Sequence, residues 1–517
     1  MALYLGRQER FELAEAQCGF MPLIMLASLF RNSSASDTYG TISRNVSKLL
    51  EIHPLLTASV ADRLTRKPRW QANDLPLELH SVVHLEDTRT WDLEDVMNNE
   101  EDWGLSLDLD RGPLWRIGIY NTTGSTGCFV TLTLSHVLMD GSGALKFLKL
   151  LLLGPELDAN DTRAESLWPR AEDTMDMCPT YMEAARAIGQ EILINSLPAC
   201  FHGPFRKPSF WPTAEMLDKR PTDCRIRRHR LDFGSSGHTI VAGLKSFGKF
   251  SGAGSMQSLI HTACLTALLS ATSDTEYREP PPTRITTETP IALRAGQLGH
   301  PPLVGNYTAL ADFAADIEKL KTQTIHQTTS EYHSYIHSTV GKEAAKRRAG
   351  MLGLIPDIPY PGTPSFVVQG SKVTPCPTGF ETFLTQQGAS IVPYRSSFAL
   401  SNLGLLELDE GPQEVKNKLQ GLWFSQSPMP WGVAFYVDVV GCSVQNLHDH
   451  EFHTELGIVL SWLDGAINNE LAEMFGRVLL VQIEKLARAG NTGIDAVTLI
   501  KDTTLQDLAR QCGDPYN

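Results

Sequence analysis

The chain has 517 residues, 42% of them hydrophobic and 20% charged, with 59 acidic against 45 basic side chains and a formal net charge of −14. This length implies two units of roughly 200 to 250 residues each, and the composition excludes global disorder. The acidic surplus excludes a nucleic-acid surface as the main function, though not a local basic patch toward an anionic cofactor. Nine cysteines scattered without a Cys-x-x-Cys pair read as free thiols of a reducing compartment, so neither structural zinc nor a disulfide framework is expected.

In chain order, Gly6 to Ala14 opens a helix that leads into the uncharged apolar stretch Cys18 to Phe30. That stretch contains Pro22 and falls short of the roughly 20 residues a membrane span needs, so it reads as a buried helix. Arg7, Glu9, Arg10 and Glu12 mix signs where a secretory signal would be basic and then apolar, and the expected location is cytoplasmic. Ile42 to Leu50 is amphipathic at helical spacing and stops at His53-Pro54. Leu77–Val83 and Leu114–Tyr120 read as strands, and the turn from Asn121 to Gly127 joins the second to a further strand, Cys128–Leu134.

That last strand runs into Ser135-His136-Val137-Leu138-Met139-Asp140-Gly141, after which Ala144 to Leu150 carries apolar residues at helical spacing. His136 therefore sits where a strand stops and a helix begins, with Gly141 and Gly143 supplying the backbone freedom of a sharp turn. A histidine at such a corner can serve as a general base, its ordinary pKa of about 6.5 being close to neutrality. Asp140, four residues on, is either an ion-pair partner that fixes the loop or a second catalytic group.

From Gly154 to Thr222 the pattern becomes a polar loop, a helix from Met182 to Leu197, and a segment crowded with Pro, Gly and aromatics. It reads as a crossover, and Arg206, Lys207, Lys219 and Arg220 give it positive character, either as a solvated face or toward an anionic cofactor. The remainder reads as a strand at Arg227–Phe233, an apolar helix at Ser258–Leu269 with His261 in the core, and a strand at Arg284–Arg294. Exposed polar helices follow from Ile317 to Arg348, then a strand ending in Ser401-Asn402-x-Gly404. A hairpin of Leu422–Ser427 with Gly432–Val440, a strand at Leu456–Trp462 and a closing helix from Asn469 to Arg488 complete the chain.

His136-x-x-x-Asp140-Gly141 after an apolar strand resembles the His-x-x-x-Asp-Gly motif of the CoA-dependent acyltransferases, the superfamily of chloramphenicol acetyltransferase, plant and fungal alcohol acyltransferases and peptide-synthetase condensation domains. The likeness is spread over nearly the whole length. It includes the Gly/Arg/Glu opening before the first helix, His53-Pro54-Leu55-Leu56, and Leu293-Arg294 followed by Pro301-Pro302 and Gly305-Asn306. The plant members' Asp-Phe-Gly-Trp-Gly is missing, its place taken by Leu405 to Pro412, and Phe424-Ser425-Gln426-Ser427 is similar to the fungal alcohol acetyltransferase branch.

The resemblance implies an α/β (α+β) fold of two chloramphenicol-acetyltransferase-like subdomains, residues 1–153 and 223–517, joined by a crossover over 154–222. Each would be a mixed sheet flanked by helices, with a tunnel at their interface. It implies His136 as general base, Asp140 and Ser401 in the catalytic set with Ser401 donating to the oxyanion, and Gly141 and Arg294 supporting the motif, Arg294 by pairing with Asp140. Asn306, Tyr307, Asn402 and Gln426 would line the tunnel for substrate or CoA. The implied reaction moves an acetyl or short acyl group from CoA, a co-substrate and not a bound cofactor, to a hydroxyl of a hydrophobic alcohol or secondary metabolite. A condensation-like enzyme, using carrier-bound donors or catalysing a non-transfer reaction such as cyclisation, is the alternative. No metal, nucleic acid or transmembrane segment is expected, and a monomer is. A serine hydrolase, a nucleotide-binding loop and a His-Glu-x-x-His zinc site all lack their motifs.

Overall fold

The computed structural model describes residues 3–72, 77–123, 127–155, 170–196, 225–252, 254–272, 283–294, 303–359, 366–369, 372–388, 394–408, 418–445, 451–494 and 496–513. The basic residues Arg206, Lys207, Lys219 and Arg220 lie outside them, as does most of the expected crossover.

The strands of the two large sheets are β1 (Leu23–Arg31), β2 (Val83–Trp91), β3 (Trp115–Thr122), β4 (Gly127–Ser135), β5 (Ile226–Arg230), β6 (Arg284–Ala292), β7 (Thr308–Asp316), β8 (Tyr394–Leu406), β9 (Leu419–Gln426), β10 (Gly432–Gln445) and β11 (Phe452–Leu463). The principal helices are α1 (Arg7–Gln17), α2 (Ala35–Ile52), α3 (Leu93–Leu105), α4 (Gly141–Leu153), α5 (Gly237–Ser251), α6 (Met256–Ala271) and α7 (Asn469–Thr492). One sheet has the order β9-β1-β4-β3-β2 and the other β7-β6-β8-β10-β11-β5, both mixed and both flanked by helices. This is the expected mixed α/β architecture.

The motif strand β4 is buried along its whole length. Cys128, Val130, Leu132 and Leu134 on one face join the core that Val46 and Leu49 of α2 and Phe147, Leu148 and Leu151 of α4 fill from above. Burial of this kind stabilises each large side chain by about 1.5 to 3 kcal/mol. On the other face Thr131 donates to Glu100 of α3 at 2.9 Å, within a buried group that includes Arg116 and Tyr120. The second core gathers Phe398, Leu400, Phe435, Val437, Ile458 and Leu460 under α5, α6 and α7.

Four sequence expectations are corrected. Cys18–Phe30 is not a helix: Pro22 follows the end of α1, and Leu23–Arg31 is a strand between β9 and β4. Buried on both faces, it presents a continuous apolar run, which periodicity does not separate from a buried helix. Leu77–Val83 is not a strand but leads through a single 3₁₀ turn, Leu79–Ser81, into β2, an edge strand too exposed to show alternation. Leu422–Ser427 and Gly432–Val440 do not form a hairpin. Their connection carries Pro428 and Pro430, which lack the N–H a tight turn would use, and β9 crosses to the first sheet beside β1 while β10 joins the second. Nor are the helices between Ile317 and Arg348 simply exposed. Ile325, Thr329 and Tyr332 are buried, with Tyr332 bonded to Thr289 at 2.6 Å, so a hydrogen-bonded polar interior disguised them.

No helix among the described residues is long and apolar enough to cross a membrane.

Candidate active site

After Ser135 ends β4, the chain turns through His136 to Met139, and Asp140 caps α4 by accepting the Gly143 N–H at 2.9 Å. The segment Leu303 to Tyr307, brought from the second half of the chain, runs beside this turn. Gly305 N–H donates to Leu138 O at 2.9 Å, and Met139 and Gly305 form a parallel bridge. Gly305 has φ +104°, a conformation side chains rarely adopt.

His136 is held from this segment. Its Nδ1 lies 3.0 Å from Asn306 Oδ1, while Asn306 Nδ2 donates to the carbonyls of His136 at 2.8 Å and Val137 at 3.3 Å. Those two carbonyls only accept, so they fix which way the amide points. Its oxygen must face the imidazole, and that oxygen also only accepts. Nδ1 therefore carries the proton, and Nε2 is left with its lone pair as the basic atom.

The expected partnership of Arg294 and Asp140 is present. Arg294 Nε lies 3.1 Å from both carboxylate oxygens and Nη2 bonds Gly305 O at 2.6 Å, with both side chains nearly excluded from solvent. Asp140 Oδ2 also accepts the Tyr307 N–H at 2.9 Å. Both oxygens of Asp140 are thus committed to fixing the loop, and its side chain is 1% exposed. The Tyr307 ring, itself 1% exposed, lies with its centroid 4.9 Å from the guanidinium and packs the pair from one side.

Ser401 does not end its strand. β8 continues to Leu406 through an irregularity between Asn402 and Leu405, where Gly404 has φ +82° and its N–H bonds Asn402 Oδ1. Asn402 Nδ2 donates to Gln257 of α6 at 3.0 Å, which places Asn402 on the helix-covered face. Alternation puts Ser401 on the face opposite Asn402, and within the irregularity Leu403 meets Gly141 so closely that a Cβ there would lie 2.6 Å from it. Ser401 itself is buried. Gln426 is engaged elsewhere, its side chain and backbone N–H both donating to Asp438.

Three carboxylates of α1 approach the same place. Glu9, Glu12 and Glu15 are all buried. Glu9 Oε1 accepts the Asn306 N–H at 3.0 Å, Glu12 Oε1 lies 3.9 Å from His136 Nδ1, and Glu15 Oε1 accepts from Trp431 Nε1 at 2.9 Å. Burial pushes Glu9 up to about 7, against the opposing pull of the Asn306 N–H. Burial, reinforced by the neighbouring Glu12, pushes Glu15 well above the usual carboxylate range. Sequence reasoning passed over these residues, although their i, i+3, i+6 spacing puts them on one helical face. A small cleft lined by Arg7, Gln8, Glu172, Met177 and Leu352 reaches Asn306.

No family model matches the sequence, and no curated protein matches it. Among solved structures, the chain is similar to TRI3, a trichothecene 15-O-acetyltransferase from Fusarium sporotrichioides, at 11% identity and a TM-score of 0.57 over 93% of this chain and 94% of that one. It is also similar to the first condensation domain of the CDA synthetase, at 12% identity and a TM-score of 0.53 over 98% of both chains. A third likeness is to the condensation domain of the Monacolin K polyketide synthase MokA, at 10% identity and a TM-score of 0.51 over 95% of this chain and 97% of that one. At these identities the likeness is one of fold, and the chain has the two-sheet α/β fold found in an O-acetyltransferase and in synthase and synthetase condensation domains.

Proposed function

We propose that the chain is an O-acyltransferase that moves an acetyl or short acyl group from CoA to a hydroxyl of a hydrophobic alcohol or secondary metabolite. The observation that carries this reading is the histidine held by Asn306 with its proton on Nδ1, which leaves Nε2 as a base. In this mechanism Nε2 takes the acceptor's hydroxyl proton as its oxygen bonds to the thioester carbonyl carbon. The carbonyl electrons move onto oxygen, and Ser401 donates to that oxyanion. Collapse breaks the carbon–sulfur bond, and the departing thiolate takes the proton back from the imidazolium. Asp140 and Arg294 hold the loop that carries His136 and do not touch substrate.

Thiol release from acetyl-CoA with a panel of alcohols, from short aliphatic to terpenoid, tests this. Alcohol-dependent release that falls about a hundredfold or more in His136→Ala is expected, on the scale of a lost general base. Release that no alcohol stimulates, or that survives the substitution, overturns it. The likeness in fold to condensation domains supports a second reading, in which the acyl group arrives on a carrier protein. His136-dependent turnover of a carrier-bound thioester with none from acetyl-CoA would favour that reading.

A further inference from the structure

The proposed reaction places a positive charge on His136 for part of each cycle, and the side chain that holds Nδ1 is a neutral amide. An amide oxygen can orient an imidazole without compensating the charge that forms on it. Glu12 Oε1 stands 3.9 Å from the same Nδ1, too far for a hydrogen bond but close enough for a strong Coulombic effect in a water-poor site. The Glu12 side chain is 9% exposed, and its Oε1 accepts from Gln8 Nε2 at 2.8 Å, one turn earlier on α1.

We infer that Glu12 is a positioning residue for the acyl-transfer reaction, its carboxylate stabilising the imidazolium that forms when His136 Nε2 takes the acceptor's proton while Asn306 sets the ring's orientation. The inference rests on His136 being the base. It separates into two residues the orientation and the charge that one carboxylate supplies in a Ser-His-Asp triad.

Among the described residues, Glu12 is the carboxylate that comes within 4 Å of the His136 ring nitrogens, and the other ionisable groups around the pair are engaged with other partners or shifted by burial. On α1, burial pushes Glu9 and Glu15 above the usual carboxylate range, with the neighbouring Glu12 adding to the effect on Glu15. From β10, Tyr436 is raised well above its ordinary value by burial, with Glu15 and Glu12 adding to the effect, and Asp438 is raised to about 8 by burial. Asp140 in the cap loop is paired with Arg294. Glu288 of β6 is paired with Arg348, and Arg10 with Asp357. Glu381, on the helix Gly379–Gly388 beside α1, accepts from Thr378 and is raised by burial. The geometry thus places one carboxylate, with its donors on its own helix, behind the proton-bearing side of the base.

Two measurements on the full chain test this: the pH profile of kcat/KM for thiol release, and an NMR titration of the His136 imidazole, assigned by its absence in His136→Ala. In Glu12→Gln the acid limb and the imidazole titration should both move to lower pH by about one unit, the scale of removing an opposite charge at 4 to 6 Å. kcat should fall about tenfold with KM little changed. Glu12→Asp, which keeps the charge but draws it back, should shift both in the same direction by less. A folded Glu12→Gln protein whose imidazole titrates as wild type overturns the inference, and if that variant fails to fold, an unshifted titration in Glu12→Asp does so. Failure of the base reading would look different: His136→Ala would retain turnover, while the NMR titration would still report whether Glu12 and His136 are coupled.

Discussion

Arg294 and Asp140 form a buried pair in which every contact has a structural task. Asp140 caps α4 through Gly143, receives the Tyr307 N–H and meets the guanidinium, while Arg294 also ties down Gly305 O. Removing one partner strands the other's charge away from water, which typically costs about 3 to 5 kcal/mol. Asp140→Ala and Arg294→Met should therefore each lower unfolding free energy on that scale. Their combination should cost clearly less than the sum, and a double-mutant cycle in which the two effects add within about 0.5 kcal/mol would refute the coupling. Arg294→Lys should not rescue, because one ammonium cannot reproduce the planar fork that reaches the carboxylate and the Gly305 carbonyl together. Asp140, Arg294 and the Gly305-Asn306 pair were legible by resemblance. The task of Asn306 was not, because it is set by a hydrogen bond to a residue 170 positions away.

Helices α5 and α7 touch through backbone. A Cβ at Gly243 would collide with Ala487 O, and one at Gly490 with Gly243 O, so each glycine permits an approach that any side chain would prevent. Gly243→Ala or Gly490→Ala must push the helices apart and should cost about 1 to 3 kcal/mol or more. Gly248→Ala on the same helix meets only Leu259 Cδ1 at 3.4 Å and should be neutral or gain a few tenths to about 1 kcal/mol from helix propensity. Urea denaturation of the three variants checks the contrast, and equal effects at all three positions would argue against a backbone contact. At this scale the sequence was most informative where an element shows one clean period, as in α2, α4 and α7. It misled where burial on two faces erased the period in β1, or where solvent exposure diluted it in β2.

The two sheets are joined by polar links as well as by the core. Glu101 of α3 accepts from Arg228 Nη1 at 2.6 Å and from the Ile226 N–H at 3.0 Å, tying the first half to β5. Asp438 of β10 accepts both the side chain and the N–H of Gln426, tying the migrant strand β9 to the second sheet. Burial raises Asp438 to about 8, with the Gln426 and Ser461 bonds opposing. An unfolded aspartate titrates near 4, so between about pH 4 and pH 8 the folded chain binds the extra proton, and stability must fall as pH rises through that window. Glu9, raised to about 7, acts in the same direction over a narrower range. Asp438→Asn removes the larger contribution, and its unfolding free energy should vary less between pH 5 and pH 8 than that of the wild type. An unchanged pH slope would show that Asp438 is not its source.

Local chemistry, as the sequence by itself determined it, includes a strand stopping at His136, a helix beginning at Asp140, and the glycines and caps that make the turn. These depend on residues within a few positions of one another, which is the range over which periodicity and capping act. Tertiary structure alone decided which nitrogen of His136 is basic, which carboxylate stands behind it, and which sheet β9 completes. Those depend on partners that folding brings together across 170 residues for His136 and Asn306, 297 for Glu9 and Asn306, and 416 for Glu15 and Trp431, and nothing in the local pattern encodes that distance.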